Sequence, residues 1–130
     1  MDNVMTPFRT VTFRGWNGES WAEGSLVQND GKCYIWKDGD VVEVKSESVG
    51  QWTGLADTNG TRIFEGDMVK ISFPWTAVSL PFELGVHRVE FVAGAFCMVM
   101  GKNITPVSGY APRVVFEVVG NAFRTEVQHE

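Results

Sequence analysis

The chain has few residues of the types on which metal sites and nucleophilic catalysis depend. Among its 130 residues there are two cysteines and two histidines, His87 and His129. Neither histidine has a sequence neighbour that would orient it as a general base. No Cys-x-x-Cys, Gly-x-Ser-x-Gly or phosphate-loop pattern occurs. We therefore expect no metal, no cofactor and no enzymatic activity.

Long apolar runs are also missing. No stretch reaches the roughly 18 uninterrupted apolar residues that a membrane helix needs. Residues 1–7 lack the basic and apolar segments of a secretory signal. Cys33 and Cys97 lie in apolar stretches, and without a secretory signal we expect buried free thiols rather than a disulfide. These features predict a cytoplasmic protein that does not bind a membrane.

Basic residues are scarce and scattered. The chain has 11 Lys and Arg against 16 Asp and Glu, a net charge of −5, and the basic residues form no cluster. Nonspecific binding to nucleic acid draws most of its affinity from neutralised phosphates. The charge balance therefore argues against nucleic-acid binding, although it leaves room for a local basic groove.

Glycine, proline and aromatic residues, by contrast, are frequent. Fourteen Gly and five Pro interrupt every candidate helix, and the 12% aromatic content suits half-buried strands. Asn29-Asp30-Gly31, Asp38-Gly39-Asp40 and Asp57-Thr58-Asn59-Gly60 are turn signals between short apolar segments. We predict a mainly β fold, with an N-terminal hairpin or meander lobe (1–60) packed on a small C-terminal SH3-like β-barrel (61–130) as one cooperative unit.

Three blocks of sequence carry a resemblance to a known family. Phe13-Arg14-Gly15-Trp16 comes first, and Glu117-Val118-Val119-Gly120-Asn121 comes last. Between them, residues 49–69 contain Gln-Trp-Thr-Gly-Leu, an Asn-Gly turn and Ile-Phe-Glu-Gly-Asp. The blocks resemble, in the same order, those of the YopX family of bacteriophage and prophage proteins. No correspondence is visible in residues 74–85. The resemblance implies a phage origin and a β-rich fold, and it implies no activity.

Glu65 and Asp67 flank Gly66 just before an alternating segment. Two carboxylates at i and i+2 of a strand face the same side, as a metal-binding or catalytic pair requires. No third ligand is identifiable, and an Asp after Gly at a strand entrance can accept backbone N–H hydrogen bonds. We therefore predict a structural role for the pair and rank an enzyme built on it below the other functions.

Five tryptophans raise the hypothesis of stacking against a ligand. Trp16 and Trp52 lie in the matched blocks and are expected to pack in the core. Trp21 and Trp75 lie in loop-like segments and are the candidates for exposure. The segment from Gln51 to Val69 is expected to bury four apolar side chains: Trp52, Leu55, Ile63 and Phe64.

Two functions compete on these observations. The first is a phage accessory protein that acts through a protein partner or through self-association as a homo-oligomer. The alternative is a module that binds single-stranded nucleic acid through the C-terminal barrel. The side chains that would carry this alternative are Trp75, Lys70, Arg88, Lys102 and Arg113.

Overall fold

Strands make up most of the described part of the chain. A computed structural model describes residues 11–73, 82–110 and 114–124. Within these ranges lie two short 3-10 turns, Ser46–Ser48 and Val107–Gly109, and a helical turn at residues 122–124. None of the described helical segments is long and apolar enough to cross a membrane. The predicted mainly β fold is confirmed.

The strands, numbered in chain order, fall into two groups. The first group is β1 Phe13–Trp16, β2 Trp21–Asn29, β3 Lys32–Lys37, β4 Asp40–Val44, β5 Gly50–Ala56 and β6 Arg62–Phe64. The second group is β7 Asp67–Phe73, β8 Phe82–Val92, β9 Ala95–Met100, β10 Asn103–Pro106 and β11 Val115–Asn121. The two groups meet at residues 65–66.

The first group forms an antiparallel sheet in the order β4-β3-β2-β1-β5-β6. Two-residue turns join β2 to β3 and β3 to β4, with positive φ at Asp30, Gly31, Asp38 and Gly39. Positive φ at both central residues is typical of type I′ turns, which match the twist of the strands that they join. Side chains then alternate, and one face of this part of the sheet buries a core of Cys33, Ile35 and Val44.

The second group forms an antiparallel sheet in the order β10-β9-β8-β7-β11. Its buried cluster contains Val69, Ile71, Val89 and Met98. Ile63 belongs to the same cluster, although it comes from β6 of the first sheet. Apolar packing therefore connects the two sheets.

The predicted barrel is not closed in the described residues. β10 and β11 lie at opposite edges of the second sheet and share no ladder. The first half covers the outer edge of β11: Thr58 N–H donates to Phe116 C=O (3.0 Å), and Val118 N–H donates to Asp57 Oδ2 (2.8 Å). Because these backbone groups already have partners, they are not available to β10. The prediction of a closed SH3-like barrel was wrong for this reason.

The expected burial of four apolar side chains is half correct. Ile63 and Phe64 are fully buried. Trp52 is only half-buried, and Leu55 is 41% exposed. The indole N–H of Trp52 donates to Leu55 C=O (2.8 Å), and the Arg62 guanidinium lies 4.8 Å from its ring.

The two cysteines are buried free thiols, as predicted. Cys33 packs in the core of the first sheet, and Cys97 lies on β9 in the second. The division of the chain at residue 60 stays a prediction, as does cooperative unfolding of the two halves.

Candidate functional site

A buried ion pair joins the two sheets. Arg14 lies on β1 and Asp67 begins β7, and Arg14 Nη2 is 2.5 Å from Asp67 Oδ1. Both residues are buried. The guanidinium lies over the rings of Trp21 (4.4 Å to the centroid) and Phe64 (4.6 Å). The carboxylate and the two ring faces replace the water that the charge of Arg14 loses on burial.

Asp67 has further partners at the ends of β6 and β11. Its Oδ2 accepts a hydrogen bond from Phe64 N–H (2.7 Å), and its Oδ1 lies 3.5 Å from Asn121 Nδ2. Gly66, at φ +95°, supplies the left-handed conformation that brings the carboxylate back toward Phe64. These contacts support the structural role that the sequence predicts for Asp67.

Glu65 and Asp67 do not form a joint site. β7 begins at Asp67, so the two residues do not alternate along one strand. Glu65 is half-buried, and its Oε1 lies 3.4 Å from the backbone N–H of Gln51. Among the residues that the structure describes, no group of three or more His, Cys, Asp or Glu side chains is arranged to hold a metal ion.

Asp57 makes a second connection between the halves. Its Oδ1 accepts hydrogen bonds from Asn59 N–H (2.9 Å) and Thr61 N–H (2.8 Å), and its Oδ2 accepts the one from Val118. Burial by itself would raise the pKa of Asp57, but these backbone N–H groups together hold the pKa below its ordinary value. Sequence reasoning recognised the turn but not the contact with Val118, which lies 61 positions away.

Aromatic rings surround the buried arginine. Trp16 and Trp21 meet edge to face at 5.4 Å, and Trp21 contacts Phe123 at 6.3 Å. The Arg124 guanidinium lies 4.0 Å from the Trp16 ring. Trp21 starts a strand and is half-buried, so the expectation that it is exposed in a loop was wrong.

An open cleft of about 480 Å³ lies beside the contact between the two sheets, next to Gly66 and Asn121. Three carboxylates line it: Glu47, Glu65 and Glu90. The Arg88 side chain, also in the lining, donates from Nε to Glu90 Oε2 (2.6 Å). The cleft therefore has a negative balance of side-chain charge, which is unfavourable for a phosphate backbone.

The residues of the nucleic-acid alternative are only partly brought together. Lys70 and Arg88 lie on the same outer face of the neighbouring strands β7 and β8. Met68 is directly opposite Arg88, and Lys70 is two positions after Met68 on the same strand, so it shares that face. Each has a carboxylate partner, Glu117 at 3.5 Å from Lys70 Nζ and Glu90 beside Arg88. Lys102 is exposed in the turn after β9. Trp75 and Arg113 lie outside the described residues.

The feature that sequence reasoning missed is an exposed apolar surface on the first sheet. We call it the open face, and it consists of Ser25, Val27, Tyr34, Trp36, Val41 and Glu43. Ser25, Trp36 and Val41 lie side by side on β2, β3 and β4. Trp36 is 48% exposed and Val41 59% exposed. The signal was present in the alternation of β3, because Cys33 and Ile35 occupy the core side and leave Tyr34 and Trp36 on the other.

Comparisons with known proteins agree with the sequence motifs and the fold. The model of the YopX protein family matches residues 12–126. No curated protein matches the sequence. The crystal structure of protein YopX from Bacillus subtilis is similar, with a TM-score of 0.56 and 21% identity, over 90% of this chain and 95% of that one. At this identity the structural likeness concerns the fold, whereas the family match covers most of the sequence. The chain therefore belongs to the YopX family.

Proposed function

We propose that this protein is a phage- or prophage-encoded accessory protein that works in the host cytoplasm by binding another protein, without catalysing a reaction. The observation that carries the proposal is the exposure of Trp36 in the middle of the open face. Tryptophan is enriched among the residues that dominate protein–protein binding energy. A contiguous exposed apolar surface with a polar border is typical of an interaction site.

The construction of the open face suits a docking surface. Trp36 has Ser25 on one side and Val41 on the other, held by the ladders of two tight hairpins. Core packing of Ile35 fixes the strand that carries the tryptophan, because Ile35 is fully buried. A rigid aromatic side chain loses little conformational entropy on binding, which favours affinity.

The test is affinity capture from lysate of host cells that carry the phage or prophage, with wild-type protein and with Trp36→Ser. The matched control is Phe91→Ser, because Phe91 is also about half exposed but lies on β8 of the second sheet. We expect the same protein to be retained by the wild type and by Phe91→Ser, and to be lost with Trp36→Ser. With the purified partner, Trp36→Ser should weaken binding by about 30-fold or more. Equal binding by all three proteins would contradict the proposal.

The nucleic-acid alternative is tested by the same capture after nuclease treatment. Partners that bind directly to the open face stay bound when nucleic acid is digested. Loss of all bound material on digestion, together with reduced binding of a single-stranded oligonucleotide by Lys102→Ala, would favour the alternative.

A further inference from the structure

Of the four sheet edges in the described residues, two are covered by other groups of the chain, and a third is short and ends in proline. The turn at Asp57 and Thr58 covers β11. β10 is four residues long and ends at Pro106, which has no N–H to donate. In β6, Ile63 C=O accepts from Thr53 Oγ1 and Phe64 N–H donates to Asp67. β4 lies at the remaining edge.

The outward backbone groups of β4 can be identified from the turn that precedes it. Residues that flank a two-residue turn exchange hydrogen bonds, so Lys37 and Asp40 form such a pair. Hydrogen-bonded pairs alternate with non-bonded pairs, and the N–H and C=O groups of Val41 and Glu43 therefore point away from β3. The N–H of Lys45, next in this series, does point outward, since it donates to Trp16 C=O (2.9 Å). The described residues offer no backbone partner to the outward groups of Val41 and Glu43.

We propose that β4 pairs antiparallel with β4 of a second copy of this chain, on a two-fold axis at Val42. In this register Val41 lies opposite Glu43 of the second copy, and Glu43 lies opposite Val41 of the second copy. Each copy then satisfies the free N–H and C=O groups of the other. The pairing continues each six-stranded sheet into its neighbour.

Charge favours a second copy in this register. β4 has Asp38 and Asp40 at its start and Lys45 just after its end. Antiparallel pairing brings Lys45 of the second copy to the turn between Asp38 and Asp40. A shift by two residues in one direction would instead place Glu43 opposite Glu43, where the carboxylates repel. A shift in the other direction would place Glu43 opposite Gly39 in the turn, beyond the regular ladder.

The pairing has a consequence for the open face. A two-fold axis perpendicular to the sheet keeps both open faces on the same side. The dimer therefore presents two Trp36 side chains to one partner surface, and binding becomes bivalent. The dimer itself does not depend on Trp36. An experiment that finds no dimer therefore does not contradict the proposed function, and an experiment that finds no binding through Trp36 does not contradict the dimer.

The test is sedimentation velocity from about 1 μM to 1 mM protein, with three variants of Val41. A single strand pair is a small interface, so we expect a wild-type dissociation constant on the order of 1–100 μM. Val41→Pro removes an N–H that β3 does not use, and it should halve the mass while leaving the circular dichroism spectrum unchanged. Trp36→Ser should leave the mass unchanged.

Two charge variants report the register. Val41→Lys places an ammonium opposite Glu43 of the second copy, whereas Val41→Glu places two carboxylates together. We expect the dissociation constant of the Glu variant to exceed that of the Lys variant by about tenfold at low salt, and the gap to close at high salt. A monomeric wild type at 1 mM, an unchanged mass for Val41→Pro, or equal constants for Lys and Glu would overturn the proposal. If β4 pairs with a strand of a different protein instead, the purified wild type stays monomeric at 1 mM.

Discussion

Arg14 and Asp67 illustrate how a buried charge is tolerated when a counter-charge and two aromatic faces surround it, even though Arg14 Nε has no hydrogen-bond partner among the described residues. The carboxylate neutralises the guanidinium, and the faces of Trp21 and Phe64 cover it. A pair of this kind adds little net stability, because desolvation offsets most of the attraction. Removing one partner, however, leaves the other as an unpaired charge buried between the two sheets.

We predict that Arg14→Met lowers the free energy of unfolding by about 3–5 kcal/mol, since Asp67 then stays buried without its counter-charge. The double variant Arg14→Met/Asp67→Asn should lose less, because Asn is neutral and still offers an oxygen to Phe64 N–H. Urea unfolding of both variants measures the difference. A double variant less stable than Arg14→Met would show that the charge of Asp67 is needed for a reason other than pairing.

Asp57 should make stability depend on pH. Its pKa in the folded protein lies below the ordinary value because of hydrogen bonds from the backbone, which outweigh its burial. The ionised form therefore stabilises the fold above about pH 4, and this contribution is lost as the pH falls through the lowered pKa.

We predict that Asp57→Asn costs about 1–3 kcal/mol at pH 7 and that the difference from the wild type shrinks below about pH 4. The measurement is urea unfolding at pH 7 and pH 3. Glu19→Gln is a suitable control, because Glu19 is exposed. A difference that stays constant between the two pH values would contradict the assigned pKa direction.

The approach of β5 to the loop before β7 requires glycine at one position. A Cβ on Gly50 would lie 2.3 Å from the carbonyl oxygen of Glu65, a backbone atom that cannot rotate away. We predict that Gly50→Ala destabilises the protein by about 1–3 kcal/mol through overpacking. Gly109→Ala, whose Cβ would lie 3.3 Å from the Thr105 methyl group, should cost clearly less. Equal thermal midpoints for the two variants would contradict this.

The sequence predicted hairpins well and long-range contacts poorly, for physical reasons. Asp38-Gly39 specifies a type I′ turn by local backbone preference alone. β6 and β10 escaped prediction because three or four residues are too few to show alternation. Arg14 and Asp67 lie 53 positions apart, and no periodicity links them. Their presence in separate blocks of the family pattern was the available hint.

At the scale of the whole molecule, each sheet has its own core, and the two halves are joined by one buried side chain and several polar contacts. Ile63 is buried among side chains of the second sheet, while Arg14 and Asp57 reach across from the first. Neither sheet can therefore open without exposing apolar surface or unpaired polar groups of the other.

We predict a single unfolding transition, coincident by far-UV circular dichroism and by tryptophan fluorescence. Ile63→Ala should lower the free energy of unfolding by about 2–5 kcal/mol and shift both signals together, because the cavity forms where the first sheet packs into the core of the second. Ile104→Ala serves as control, since Ile104 is exposed on β10. Two separated transitions in Ile63→Ala would show that the halves unfold independently.

The cover that Asp57 and Thr58 place on β11 also restricts how the gene can be rearranged. A chimera that joined residues 11–66 of this chain to the second half of a distant relative would inherit the turn without the strand fitted to it. The edge of the foreign last strand would then be open to other chains, an aggregation hazard. Crossovers between the two halves of the gene are therefore expected to be selected against, whereas exchange of the whole gene is not.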